Sequence, residues 1–164
     1  MSYLGHIQRH CVEMAVGDSD LSELGLTHRE MVTITRSLRV GASGRSILAH
    51  LPEPLRRQVL SEPLPKGVGP GAYRDRDKLL ASLADIQKKG YAIGYQEFAR
   101  GWDSYAAPVI WGDAILGSVL LLKPSSTAPA PRDRYVMAVK VAAAEVCQVF
   151  GNAGSEGDAT AEST

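Results

Sequence analysis

Apolar residues recur at helical spacing in two stretches of the chain. Between Asp75 and Lys89, Leu79, Leu80, Leu83 and Ile86 fall on one side of a helix, and Gly90 follows as its cap. Between Arg132 and Phe150, Val136, Val139, Ala143, Val146 and Phe150 form a second stripe, which Gly151 is expected to end. The segment between them, GYAIGYQEFARGWDSYAAPVIWGDAILGSVLLLKP from Gly90 to Pro124, changes character. It predicts strands at 91–98, 104–111 and 114–122, with a hairpin turning at Gly112-Asp113. Lys123 to Pro131 reads as a loop.

The first half is less regular. Residues 3–16 read as the tail of a helix running into a strand, and Met31 to Leu38 as a strand with β-branched alternation. A helix-turn-helix over LSELGLTHREMVTITRSLRV is the alternative, but Val32, Thr33, Ile34 and Thr35 crowd its second helix. Gly41-Ala42-Ser43-Gly44 reads as a glycine turn, followed by a short helix from Arg45 to Leu51 that Pro52 stops. Pro54 fits the first turn of a further helix, LRRQVLSE. Leu64 to Ala72 is a Pro/Gly loop. The last residues, 152–164, carry Glu156, Asp158 and Glu162 and no large apolar side chain, which predicts a disordered acidic tail behind one domain at 1–151. Antiparallel strands with helices grouped around them define an α+β domain.

The 164 residues carry 18 Lys+Arg and 18 Asp+Glu. This balance argues against a surface that grips DNA or RNA, which normally carries a positive surplus. Two distant cysteines, Cys11 and Cys147, make no disulfide framework, so a reduced, cytoplasmic protein is expected. No apolar run reaches the ~20 residues of a membrane helix and no leader opens the chain, so no membrane partner is expected.

Two motifs carry a family resemblance. Val40-Gly41-Ala42-Ser43-Gly44-Arg45-Ser46-Ile47-Leu48-Ala49-His50-Leu51-Pro52 resembles the small-residue, Gly-Lys/Arg, Leu-Ala, Leu-Pro segment of IclR-type transcriptional regulators. Ile86 to Lys89, Gly90-Tyr91-Ala92, Glu97, Gly101 and Ser104-Tyr105-Ala106-Ala107-Pro108-Val109 resemble that family's helix end and its Gly-Tyr, Glu, Gly, Ala-Ala-Pro-Val run, and the closing helix to Phe150-Gly151 matches too. The resemblance covers about residues 36–151. It implies the family's C-terminal effector-binding domain, a GAF-like antiparallel sheet flanked by helices. The winged helix-turn-helix that precedes this domain in the family has no counterpart in the sequence, and residues 12–40 are shorter than the family's run of strands. DNA would therefore be a partner only through a winged helix-turn-helix outside this chain. The resemblance also implies a small organic acid effector, a homo-dimer or tetramer, and no cofactor.

Ala42-Ser43-Gly44 lies where a helix begins, so backbone N–H groups without helical partners could receive a carboxylate. A plain tight turn is the competing reading. The resemblance extends the pocket to Gly94, Trp102, Ser104, Leu120 and Leu122, of which only Ser104 offers a hydroxyl. That wall favours a carboxylate with an apolar or aromatic body over a small acid such as glyoxylate. Ordinary core packing is the alternative for Trp102 and the leucines. Tyr95 is a further candidate donor, or else a plain edge-strand tyrosine. A one-residue slip at Gly112 would reverse the faces, so the hairpin register decides the assignment.

Other signals are weak. His6, His10 and Cys11 form an H-x3-H-C cluster without a nameable third or fourth ligand, so no metal is assigned. Gly67-Val68-Gly69-Pro70-Gly71 lacks the Lys-Ser/Thr of a phosphate loop and reads as a loop. Ser43 stands outside any G-x-S-x-G motif, and no nucleophile-base pair points to an enzyme. Asp75-Arg76-Asp77-Lys78 is a solvated helix start. The leading function is therefore an effector-binding domain of an IclR-type regulator. The alternative is a stand-alone GAF-like module that regulates through protein contacts.

Overall fold

The computed structural model describes residues 7–17, 22, 27, 29, 35–126 and 132–158, the last six as backbone only. Two short strands, β1 (Gln8–His10) and β2 (Thr35–Ser37), pair antiparallel. Three helices follow: α1 (Gly41–His50), α2 (Glu53–Ser61) and α3 (Arg76–Lys89). The chain then forms β3 (Ala92–Tyr95), β4 (Trp102–Trp111) and β5 (Ala114–Pro124), an antiparallel sheet in the order β3-β4-β5. Helix α4 (Arg132–Asp158) closes the fold. The domain is α+β, as expected.

Helix α3 follows its sequence signals closely. The Asp75 side chain accepts from the Lys78 amide at the N-terminus, and Gly90 ends the helix at φ +75°. Leu79, Leu83 and Ile86 are buried, whereas Leu80 of the expected stripe is 38% exposed. Pro54 sits in the first turn of α2.

Three expectations change. Gly41-Gly44 is not a turn before a helix but the first turn of α1, with Gly41 alone at φ +78°. Helix α4 does not stop at Gly151 but runs to Asp158, taking in the first part of the expected tail. Gly151 lacks the positive φ that makes Gly90 a terminator, and a single glycine costs a helix only ~1 kcal/mol. In the α4 stripe, Val139 and Ala143 are buried and Val136 half-buried, but Val146 and Phe150 are 38% and 45% exposed, and it is Cys147 that packs against this core. A strand at Thr35–Ser37 excludes a second helix of a helix-turn-helix there; most of that alternative and Met31–Ile34 lie outside the described residues.

Two cores form on the two sides of the sheet. Leu38, Leu48, Ala49, Val59, Leu79, Leu83 and Ile86 pack against Ala92 and Ala106 on one side. Tyr105, Ala107 and Val109 pack against Val139 and Ala143 of α4 on the other. Register separates the two sets. Pairs from Trp102↔Pro124 through Val109↔Gly117 hold one register, and Ile110↔Ile115 and Trp111↔Ala114 hold another, one residue shifted. Leu116 is the extra residue of this bulge. The hairpin thus turns on Gly112-Asp113 while Ser104 stays opposite Leu122 and Ala106 opposite Leu120.

Candidate functional site

Helix α1 lies across the sheet with its first turn over β3 and β4. Ala42 donates its amide to Ser104 Oγ at 3.3 Å, and Ser104 Oγ donates to Gly94 O at 3.3 Å. A Cβ on Gly94 would stand 2.6 Å from Ser104 Oγ, 2.8 Å from Glu97 Oε1 and 3.2 Å from the Ala42 nitrogen, so glycine lets helix and strand close together. Ser43 Oγ shares a 2.7 Å hydrogen bond with Ser118 Oγ of β5.

A buried ion pair anchors this turn. Glu97 and Arg45 are each 2% exposed. Glu97 Oε2 accepts from the Gly41 amide at 2.9 Å and from Arg45 Nε at 3.1 Å, while Arg45 Nη2 reaches Glu97 Oε1 and donates to Ile93 O at 2.6 Å. The Tyr73 ring lies 4.8 Å from the Arg45 guanidinium carbon. The chain's own carboxylate therefore sits at the start of α1, where helix amides favour an anion. Of the four first-turn amides, Gly41 and Ala42 are taken by Glu97 and Ser104. That of Gly44 is the first donor of the helix's own ladder, and that of Ser43 has no partner among the described residues.

Glycines hold Glu97 from behind. The Gly69 amide donates to Glu97 O at 2.8 Å and the Gly71 amide to Gln96 O at 3.2 Å. A Cβ at either glycine would collide with the carbonyl of Gln96 or Tyr95. The G-x-G-x-G run thus brackets the turn that carries Glu97.

Gly94, Trp102, Ser104, Leu120 and Leu122 share the sheet face under α1, because their cross-strand partners alternate together. Gly94, Trp102 and Ser104 form its buried floor, Leu122 is half-buried and Leu120 is 39% exposed. Ala42 and Ser43 cover the floor, and Gly44 backs onto Leu38 O and Arg9. Tyr95 falls away from this group: it pairs with Asp103 on the α4 side and is 51% exposed. A residue two along from Ile93 shares Ile93's face, not Gly94's.

Sequence reasoning did not assign Arg45, Glu97 or Ser118 to the site. The signal for the first two was a charged residue at an otherwise apolar helical position and an acid in the short link between strands. Ser118 is visible only once the bulge at Leu116 fixes the register.

Arg9 crosses from β1 to the back of the α1 turn, where Nη1 donates to Ser37 O at 2.5 Å and Val40 O at 3.0 Å. Burial, and then the repulsion of Arg36, lowers its pKa to about 10, against an opposing pull from Glu97. Burial also lowers the Arg36 pKa. Of the H-x3-H-C trio, His6 lies outside the described residues and His10 is exposed. A groove of about 430 Å³ lies elsewhere, between α2 and α3, lined by Arg56, Arg57, Arg76, Leu60, Leu80 and Gln87 among others. It meets none of the residues gathered under α1.

A sheet with a helix turn pinned over one face, presenting a free amide beside an apolar wall, has the architecture of a small-molecule binding domain. Residues 26–148 match the bacterial transcriptional regulator IclR C-terminal family, and the chain belongs to that family. The family is one of transcriptional regulators, not of enzymes. The chain is similar to the Probable HTH-type transcriptional regulator ArcR of Halobacterium salinarum, 35% identical over 82 residues that cover 50% of this chain and 31% of ArcR. It is similar in structure to an IclR transcriptional regulator of Alicyclobacillus acidocaldarius, with TM-score 0.66 and 30% identity over 72% of this chain and 48% of that one. An IclR homolog of Microbacterium hydrocarbonoxydans complexed with 4-hydroxybenzoate has TM-score 0.63 and 25% identity over 73% of this chain and 48% of that one. The chain thus spans less than half the length of these relatives. No helix among the described residues is long and apolar enough to cross a membrane.

Proposed function

We propose that this domain senses a small carboxylate with an apolar or aromatic body and passes its occupancy to DNA-binding domains of an IclR-type regulator. The observation that carries this reading is the Ser43 amide, unpartnered among the described residues, at the edge of a face walled by Leu120 and Leu122. A carboxylate on that amide gains the field of the α1 start. Its body would lie along the two leucines over the Trp102 floor. The Ala42 amide belongs to Ser104, so Ala42 contributes shape, and Ser104 contributes through the amide it holds. Tyr95, on the opposite face, has no place in this pocket. The 4-hydroxybenzoate bound by the Microbacterium homolog is a ligand of the proposed kind.

Occupancy shifts the regulator only by as much as the ligand prefers one arrangement over another. We place operator recognition in a winged helix-turn-helix outside these residues, because the chain's charge is balanced at 18 and 18. We also propose self-association as a dimer or tetramer through the outer side of α4, where Met137, Val141 and Val149 are 62%, 49% and 67% exposed.

Thermal-shift comparison tests the ligand class. Aromatic and branched acids should raise the melting temperature more than glyoxylate or pyruvate. Ser43→Pro removes the free amide, and Leu122→Asp sets a charge against the ligand body, so both should abolish the shift. Binding restricted to small polar acids, or aromatic-acid binding that survives Leu122→Asp, would refute the assignment.

A further inference from the structure

The β1–β2 ladder sets Arg9 directly opposite Arg36, although like charges facing each other across a ladder repel. Both side chains converge on the Glu97-Phe98 turn. The Arg36 guanidinium carbon stands 4.1 Å from the centroid of the Phe98 ring, and Arg9 reaches the α1 turn whose Gly41 amide is bonded to Glu97. The carboxylate of Glu97 is already shared by Arg45 and the Gly41 amide. Among the described residues, no carboxylate lies within ion-pair distance of Arg9 or Arg36. Three guanidinium groups thus gather around one acid, and among the described residues two of them form no ion pair. A partly desolvated cation without a counter-charge is costly unless something pairs with it.

We propose that Arg9 and Arg36 together hold a small oxyanion, a phosphate or dicarboxylate, beside the Glu97-Phe98 turn. The two carbonyl bonds of Arg9 Nη1 fix the orientation of its fork and leave Nη2 and Nε as donors. The contact of the Arg36 guanidinium with the Phe98 ring uses none of its in-plane N–H donors. Two planar forks supply the paired donors that oxyanions accept. This site shares no residue with the apolar face under α1 and does not rest on the effector reading.

The test follows the whole chain by thermal shift in phosphate, succinate and chloride at matched ionic strength, with two-dimensional NMR of the amides of Arg9, Gly41, Gly44 and Phe98. Phosphate, succinate or both should raise the melting temperature above chloride and move these amides saturably; which of the two acts identifies the anion chemistry. Arg36→Gln removes one fork while keeping most of the stem, and should weaken binding about tenfold or more. Arg9→Gln should do the same if it folds; if it does not, Arg36→Gln decides alone, since Arg36 supports no turn of its own. Equal shifts in all three salts, or an oxyanion shift unchanged in Arg36→Gln, would overturn the proposal. Ser43→Pro should leave this response intact, which separates its failure from that of the effector site.

Discussion

Replacing Glu97 by alanine is the severest single test of the site. The substitution removes the partner of Arg45 at a place where both side chains are 2% exposed. Arg45 would keep Ile93 O and the Tyr73 ring but no anion. Breaking one half of a buried pair in this way costs ~3–5 kcal/mol. For a domain of this size each kcal/mol lowers the melting temperature by ~2–4 °C, so a fall of ~6–20 °C is expected. Arg45→Met should cost less, because the stranded carboxylate keeps the Gly41 amide and the field of α1. The double variant should be milder than the sum of the singles, with ~0.5–3 kcal/mol of coupling between them. Urea unfolding followed by the fluorescence of Trp102 and Trp111 gives all four corners of this cycle. Additivity within ~0.5 kcal/mol, or a loss below ~1 kcal/mol for Glu97→Ala, would show that the pair does not anchor α1.

Gly94→Ala should destabilise by ~1–3 kcal/mol and blunt any effector response, since the new methyl group meets Ser104 Oγ and Glu97 Oε1 at 2.6 and 2.8 Å; a variant as stable as the parent in urea would refute the close approach. Burial first, and then Tyr95, Asp103 and Tyr135, raises the Tyr105 pKa. The folded state therefore holds that proton more tightly than the unfolded chain, and the stability it lends is complete below pH ~10 and lost as pH climbs through the folded value. Ultraviolet titration should show a late-ionising tyrosine that vanishes in Tyr105→Phe; an unchanged titration would contradict the assignment. Val141→Lys with Met137→Glu should move the solution mass toward the monomer in light scattering, and an unaltered oligomer would place the contact elsewhere.

The sequence was most legible where a local rule sufficed. Asp75, the Leu79-Leu83-Ile86 spacing and Gly90 specify α3 without help from the rest of the chain, and Gly112-Asp113 specifies the hairpin. Grouping Gly94, Ser104, Leu120 and Leu122 on one face needed a register, and that register depends on Leu116, an ordinary leucine in an apolar strand. The start of α1 was misread because Gly41 and Gly44 signal a turn locally. What makes this stretch helical is distant in sequence: Glu97 and Ser104 satisfy its first amides from more than fifty residues away. The same distance hid the anchoring role of Glu97 and the packing demand on Gly69 and Gly71. The end of α4 was misread for the opposite reason, since Gly151 looks like Gly90 but adopts an ordinary helical backbone.

The bulge at Leu116 has a consequence for how such a domain can diverge. It lies between the hairpin tip and the pairs that carry Ser104, Leu120 and Leu122, so it acts as a slack point in the ribbon. A residue gained or lost at Gly112-Asp113 can be absorbed by closing or enlarging the irregularity, without rotating the paired segment below it. The tip is therefore free to drift in length and sequence while the alternation of the face under α1 is preserved, and relatives with hairpins of different length can be compared residue by residue from Gly117 onward.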